Sequence, residues 1–114
     1  MNITLTGAVG GNITFTCQTY GRIPIPTVQR SLRRDCTTGE LVVTEFYNKL
    51  TITISDWQPK DVYDSIVEIL TSNNVITYSD DDYTNKSMTL VPGSLIPEAV
   101  EDPECRFKFQ LVEI

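Results

Sequence analysis

Cysteine, carboxylate and arginine are the side chains of this 114-residue sequence from which chemistry could be built, because it contains no histidine. Without histidine there is no Ser-His-Asp triad, no Cys-His pair and no His-ligated zinc. The three cysteines, Cys17, Cys36 and Cys105, fit neither a CxxC motif nor any zinc spacing. Their odd number suggests one disulfide plus a free thiol, or a partner outside the sequence. A Cys17–Cys36 bridge would close a loop of ~18 residues and stabilise the fold by roughly 3 kcal/mol. Cys105 pairing with Cys36 is the alternative, and Cys17 as a buried thiol is another. The 15 Asp and Glu residues could supply acid–base pairs, but no nucleophile motif, phosphate-binding loop or metal constellation accompanies them. A non-enzyme with no cofactor and no metal is therefore expected. Tyr78–Tyr83 clusters three aspartates between tyrosines, yet it lacks the ligand spacing and turn glycine of a calcium loop. It reads as a solvated acidic loop.

Charge narrows the partners. The 9 Lys and Arg against 15 acids leave a formal charge of −6 and a pI near 4.4, which argues against nucleic acid as a ligand. The imbalance is uneven: residues 1–34 hold Arg22, Arg30, Arg33 and Arg34 and no acid, for +4, whereas the remainder holds 15 acids and 5 bases, for −10. A basic rim around Arg30–Arg34 could steer an acidic protein partner. Three glycosylation sequons, at Asn2, Asn12 and Asn85, together with the cysteines, favour an exported protein. No apolar run approaches the ~20 residues of a membrane span. Met1 is not followed by a charged and then apolar leader, so no signal peptide is expected, and any membrane link would lie outside this sequence.

The elements that must position these groups are strands. Thr, Ile and Val make up 15, 11 and 10 of the residues, and side chains branched at Cβ favour the pleated sheet. Asn2–Thr6 reads as an edge strand. Asn12–Gln18 places Ile13, Phe15 and Cys17 on one face. Tyr20–Thr27, with Pro24 and Pro26, reads as a loop, and Val28–Arg34 is weakly patterned. Leu41–Tyr47 follows the Thr37-Thr38-Gly39 turn. Leu50, Ile52 and Ile54 alternate with Thr51, Thr53 and Ser55, the clearest amphipathic strand. Pro59 marks a turn, after which Asp61–Leu70 reads as the next strand. Weak strand signals at Val75–Tyr78 and Met88–Val91 precede a closing strand in which Phe107, Phe109 and Leu111 alternate. About seven to nine strands in one domain spanning 1–114 imply a sandwich. Trp57 reads as core packing over the corner, with a role as binding anchor the alternative.

Gly10-Gly11-Asn12-Ile13-Thr14-Phe15-Thr16-Cys17 resembles the second strand of an immunoglobulin variable-type domain. Leu50 to Asp61 is similar to the fifth strand and the corner after it. Val67 stands where that family has its second core cysteine, Ser65 where it has the corner tyrosine, and no tryptophan follows Cys17 on a third strand. The lymphocyte adhesion branch tolerates such losses and also resembles residues 7–14. The resemblance implies an immunoglobulin-like β-sandwich of two antiparallel Greek-key sheets. It also implies a cell-surface recognition ectodomain binding another protein through a sheet face or loops. Cys36-Thr37-Thr38, Trp57 to Asp61 and Cys105 resemble adenovirus early-region immunomodulatory glycoproteins, which would imply a lumenal domain that captures class I histocompatibility molecules. A structural module of a longer chain is a third reading. By analogy with variable-type domains, the expected binding residues are Arg30, Arg33 and Arg34 with Tyr20 and Arg22 of the neighbouring loop. Part of Thr71–Pro103 would join them.

Overall fold

The computed structural model describes the chain except Asp102 and the side chains of residues 27–31 and 44–48. The described residues form eight strands and one α-helix: β1 (Asn2–Thr6), β2 (Asn12–Thr16), β3 (Arg22–Arg34), β4 (Leu41–Pro59), α1 (Lys60–Ser72), β5 (Ile76–Ser79), β6 (Lys86–Leu90), β7 (Ile96–Glu101) and β8 (Glu104–Glu113). Every pairing is antiparallel. The hydrogen-bonded path runs β2-β1-β5-β6-β8-β4-β3, with β7 also on β8.

This path doubles over to make an all-β sandwich. Its seam is short, because β6 meets β8 only from Met88↔Glu113 to Leu90↔Leu111. On one side lie β2, β1, β5 and β6; on the other lie β8, β4 and β3. The two layers share one core. Ile3, Leu5, Phe15, Ile76 and Met88 come from the first layer, and Ile52, Ile54, Phe107, Phe109 and Leu111 from the second. Phe107 stacks on Phe109 at 5.8 Å between ring centroids. The alternation read at Leu50–Ile54 and Phe107–Leu111 is the inward face of β4 and β8, where period two sets which side chains meet the core. Helix α1 packs against β1, β2, β4, β6 and β8.

Four local expectations are corrected. Residues 61–70 are helical. Val62, Ile66, Ile69 and Leu70 recur at the helical i, i+4, i+7, i+8 spacing and face the core, whereas a strand would place Asp64 and Glu68 on the same face as Ile66. Pro59 sits at the helix N-cap and Asp61 in the first turn, favourable for the helix dipole. Asp61 is therefore no sandwich corner, and Val67 has left the strand register. Second, the Tyr20–Thr27 loop is mostly strand. β3 ends the path, so Pro24 and Pro26 withhold N–H groups only from an unpaired edge. Third, Leu41–Tyr47 and Leu50–Ser55 are one continuous β4. Fourth, β1 is interior and β2 is the edge.

The β1–β2 connection uses Gly10 and Gly11 at φ of 86° and 72°, a region open to glycine at little steric cost. Asn73, just past α1, clamps that turn. Its Nδ2 donates to the Val9 carbonyl at 2.8 Å, and its Oδ1 accepts from the Val9 amide at 2.9 Å.

Candidate functional site

β3 and β4 are far longer than their neighbours, and the excess projects. The β4–β8 ladder starts at Thr51↔Val112, whereas β3–β4 pairing continues outward from Pro26↔Leu50 to Arg34↔Leu41. Beyond Pro26 the two strands are paired only with each other among the described residues. Eight further residues of β3 extend this ribbon by roughly 26 Å, and the molecule measures 66 × 27 × 26 Å. A register shift after Gln29 marks a bulge in the ribbon. The tip is ordered by Asp35, whose Oδ1 accepts the Thr37 and Thr38 amides at 2.8 and 2.9 Å. Those backbone bonds hold its carboxyl below the usual range.

The ribbon exposes apolar and basic groups together. Leu32 pairs with Val43 and Arg34 with Leu41, so these four side chains share one face. Leu32, Val43 and Leu41 are 63%, 52% and 50% exposed. Arg33, opposite Val42, lies on the other face. Arg33 and Arg34 are both exposed, and neither meets a carboxylate within 4.0 Å among the described residues. The side chain of Arg30 lies outside the described residues.

Tyr20 and Arg22 do not join them. They sit at the opposite end of β3, about 40 Å from Arg34 at the rise of an extended strand. Arg22 is in fact a buried structural ion. Its Nη1 donates to Asp80 Oδ2 at 2.8 Å and its Nη2 to Asp82 Oδ2 at 2.5 Å, with the guanidinium 5.7 Å over the Tyr83 ring. The Tyr78 hydroxyl donates to the same Asp80 oxygen. Burial opposes the charge on Asp80. Bonds from Tyr78, from the Asp82 and Tyr83 amides and from Arg22 outweigh it, and the carboxyl is held below its ordinary value. The expected solvated loop is thus anchored at Asp80, and only Asp81 and Asp82 are exposed.

Tyr20 instead borders a cleft at the body end of β4. This cleft, of about 420 Å³, is lined by Asp56, Trp57 and Gln58 of β4, by Glu101 and Glu104 of the β7–β8 hairpin, and by Thr16, Gln18 and Tyr20. Trp57 is only half-buried and lies on the outward face of β4, out of phase with Ile52 and Ile54, so it is not the core residue the sequence suggested. Gln58 Nε2 donates to the Thr16 carbonyl at 2.6 Å, and Asp56 Oδ2 accepts the Gln18 amide at 3.1 Å. These bonds tie the two layers at the cleft floor. Sequence reasoning missed Asp56, Glu101 and Glu104. Asp56 was visible as the point where the inward register Leu50, Ile52, Ile54 turns polar.

All three cysteines are free thiols, which corrects the disulfide expectation. Cys36 lies at the arm tip, whereas Cys17 lies beside Gly21 at the body end and Cys105 pairs with Gln58. Twelve or more strand residues, about 40 Å, separate Cys36 from either, against the ~7 Å limit between bridged Cα atoms. Burial first, then Asp56, pushes the Cys17 thiol up to about 12, so it is no nucleophile at neutral pH. Asn2, Asn12 and Asn85 are all exposed. No group of three or more cysteine or acidic side chains among the described residues is placed to hold a metal ion. Among the described residues no helix is long and apolar enough to cross a membrane.

Neither a scan against protein-family models nor a search of curated proteins finds a match for this sequence.

Proposed function

We propose that this chain is a non-catalytic protein-recognition module that engages its partner with the β3–β4 arm. The observation that carries the reading is the ribbon itself, with Leu32, Val43 and Leu41 exposed on one face beside Arg34. A lone two-stranded ribbon is at best marginally stable in water, and exposed aliphatic groups beside an arginine suit a protein interface, where Arg is enriched. Pro24 and Pro26 guard the base of the β3 edge against strand addition, so contact is directed to the distal half. The exported, glycosylated character expected for an immune or cell-surface protein is left resting on the three exposed sequons, since no disulfide accompanies them.

Photo-crosslinking tests the arm. A benzophenone amino acid at Leu32, irradiated in an extract of the native source, is expected to yield discrete higher-mass adducts. The same probe at Val75, also more than half exposed but off the arm, should not. Absence of adducts at Leu32, or equal labelling at both positions, would overturn the assignment.

A further inference from the structure

We propose that the outer face of β2-β1-β5-β6 carries N-linked glycans at Asn2, Asn12 and Asn85, and that these cover the β2 edge. This goes beyond the arm reading and uses none of its residues.

The three sequons converge on one face. Ile3, Leu5, Phe15, Ile76, Tyr78 and Met88 turn inward, so the residues alternating with them turn outward. Each outward position on these four strands is Asn, Ser or Thr, in a chain that is 21% charged. Asn2 and Asn12 stand there with the hydroxyls their sequons require, Thr4 and Thr14, which pair across β1–β2 with Oγ1 atoms 2.9 Å apart. Ser87, the hydroxyl of the third sequon, lies opposite Thr77 of β5. Asn85 reaches the same face at Ser79, whose hydroxyl donates to its Oδ1 at 3.3 Å.

Each amide leaves free the atom that a sugar would occupy. Asn2 is held only at Oδ1, which accepts from the Thr16 hydroxyl at 3.1 Å. None of the three Nδ2 atoms donates to protein among the described residues. Asn73, outside any sequon, instead uses Nδ2 for the Val9 and Ile69 carbonyls. Asn2 and Asn12 stand four residues apart in register, roughly 14 Å along the strands, which leaves room for two sugars.

The edge supplies an independent reason. β2 ends the path, so one side of Asn12–Thr16 offers unpaired N–H and C=O groups to a further strand. It contains no proline, no charge and no register shift, which are the usual guards. At the other end of the path, β3 has Pro24 and Pro26. A bulky, hydrated oligosaccharide on Asn12 would obstruct approach to that edge. The co-reactant is a lipid-diphosphate oligosaccharide. Its sugar C1–O bond to the diphosphate breaks, a C1–Nδ2 bond forms, and the Nδ2 proton leaves with the lipid diphosphate; nothing is oxidised or reduced.

Protein purified from its native source tests this. Peptide-N-glycosidase treatment in heavy-oxygen water should lower its mass on a gel and convert Asn2, Asn12 and Asn85 to labelled aspartate. Peptide mass spectrometry reads the label, and Asn73 should stay unlabelled. A mass unchanged by the glycosidase, or an unlabelled Asn12, would sink the proposal. The edge has its own readout. Asn12→Gln, produced in the same cells, should keep the parent's circular dichroism yet self-associate about tenfold more strongly in sedimentation velocity, because the edge is uncovered. Asn85→Gln, two strands from that edge, should not. Equal association of parent and Asn12→Gln would refute the covering role.

Discussion

Asp80→Ala removes the carboxylate that neutralises Arg22 away from solvent. The two side chains are 0% and 7% exposed, and Arg22 Nε is already buried without a partner. Deleting one member of a buried pair costs roughly 3–5 kcal/mol, because the other charge is left desolvated. Asp82 still holds Nη2, but its carboxylate is 59% exposed and so offsets only part of the loss. The low end, about 3 kcal/mol, is therefore expected. At ~2.1 cal/mol/K per residue, unfolding 114 residues carries about 0.24 kcal/mol/K, so the Tm should fall by about 12 °C. Thermal and urea unfolding followed by circular dichroism at pH 7 measure this. Arg22→Met/Asp80→Leu, which removes both charges and keeps the volume, should recover most of the loss. A second readout is pH. The folded pKa of Asp80 lies below its unfolded value, so its contribution is complete above the unfolded value of about 3.9 and drains as pH falls through the folded one. The gap between parent and Asp80→Asn should narrow in acid accordingly. An Asp80→Ala protein within about 1 kcal/mol of the parent would refute the reasoning, since a pair worth that little behaves as a solvent-screened one.

Two further outcomes follow from the buried end of the sandwich. In native protein at pH 8, iodoacetamide should label Cys36 alone, since Cys17 and Cys105 are buried, and all three thiols should label in urea; mass spectrometry of the labelled peptides reads this. Gly21→Ala should destabilise by about 2 kcal/mol, because its Cβ would stand 2.5 Å from the Ser55 carbonyl oxygen and 3.3 Å from Cys17 Sγ; urea unfolding gives the value.

The sequence by itself determined the all-β class and about half of the core. Period-two runs such as Leu50–Ile54 and Phe107–Leu111 state which faces are buried, and local backbone chemistry decides that much without reference to the rest of the chain. It also contained the helix at 60–72, as a period near 3.6 behind Pro59, masked by residues of mixed propensity. Three things were decided by tertiary structure. Pro24 and Pro26 read as loop because proline is hostile to a ladder, and only the placement of β3 at the end of the path makes them harmless. Arg22 and Asp80 are separated by 57 intervening residues, so no local rule pairs them; the fold does, and it turns an expected binding arginine into a core ion. The arm and the cleft are the last case. Their residues are ordinary polar and aliphatic types whose meaning comes from where β4 carries them, one group to each end of the longest strand, with the length of that strand keeping them apart.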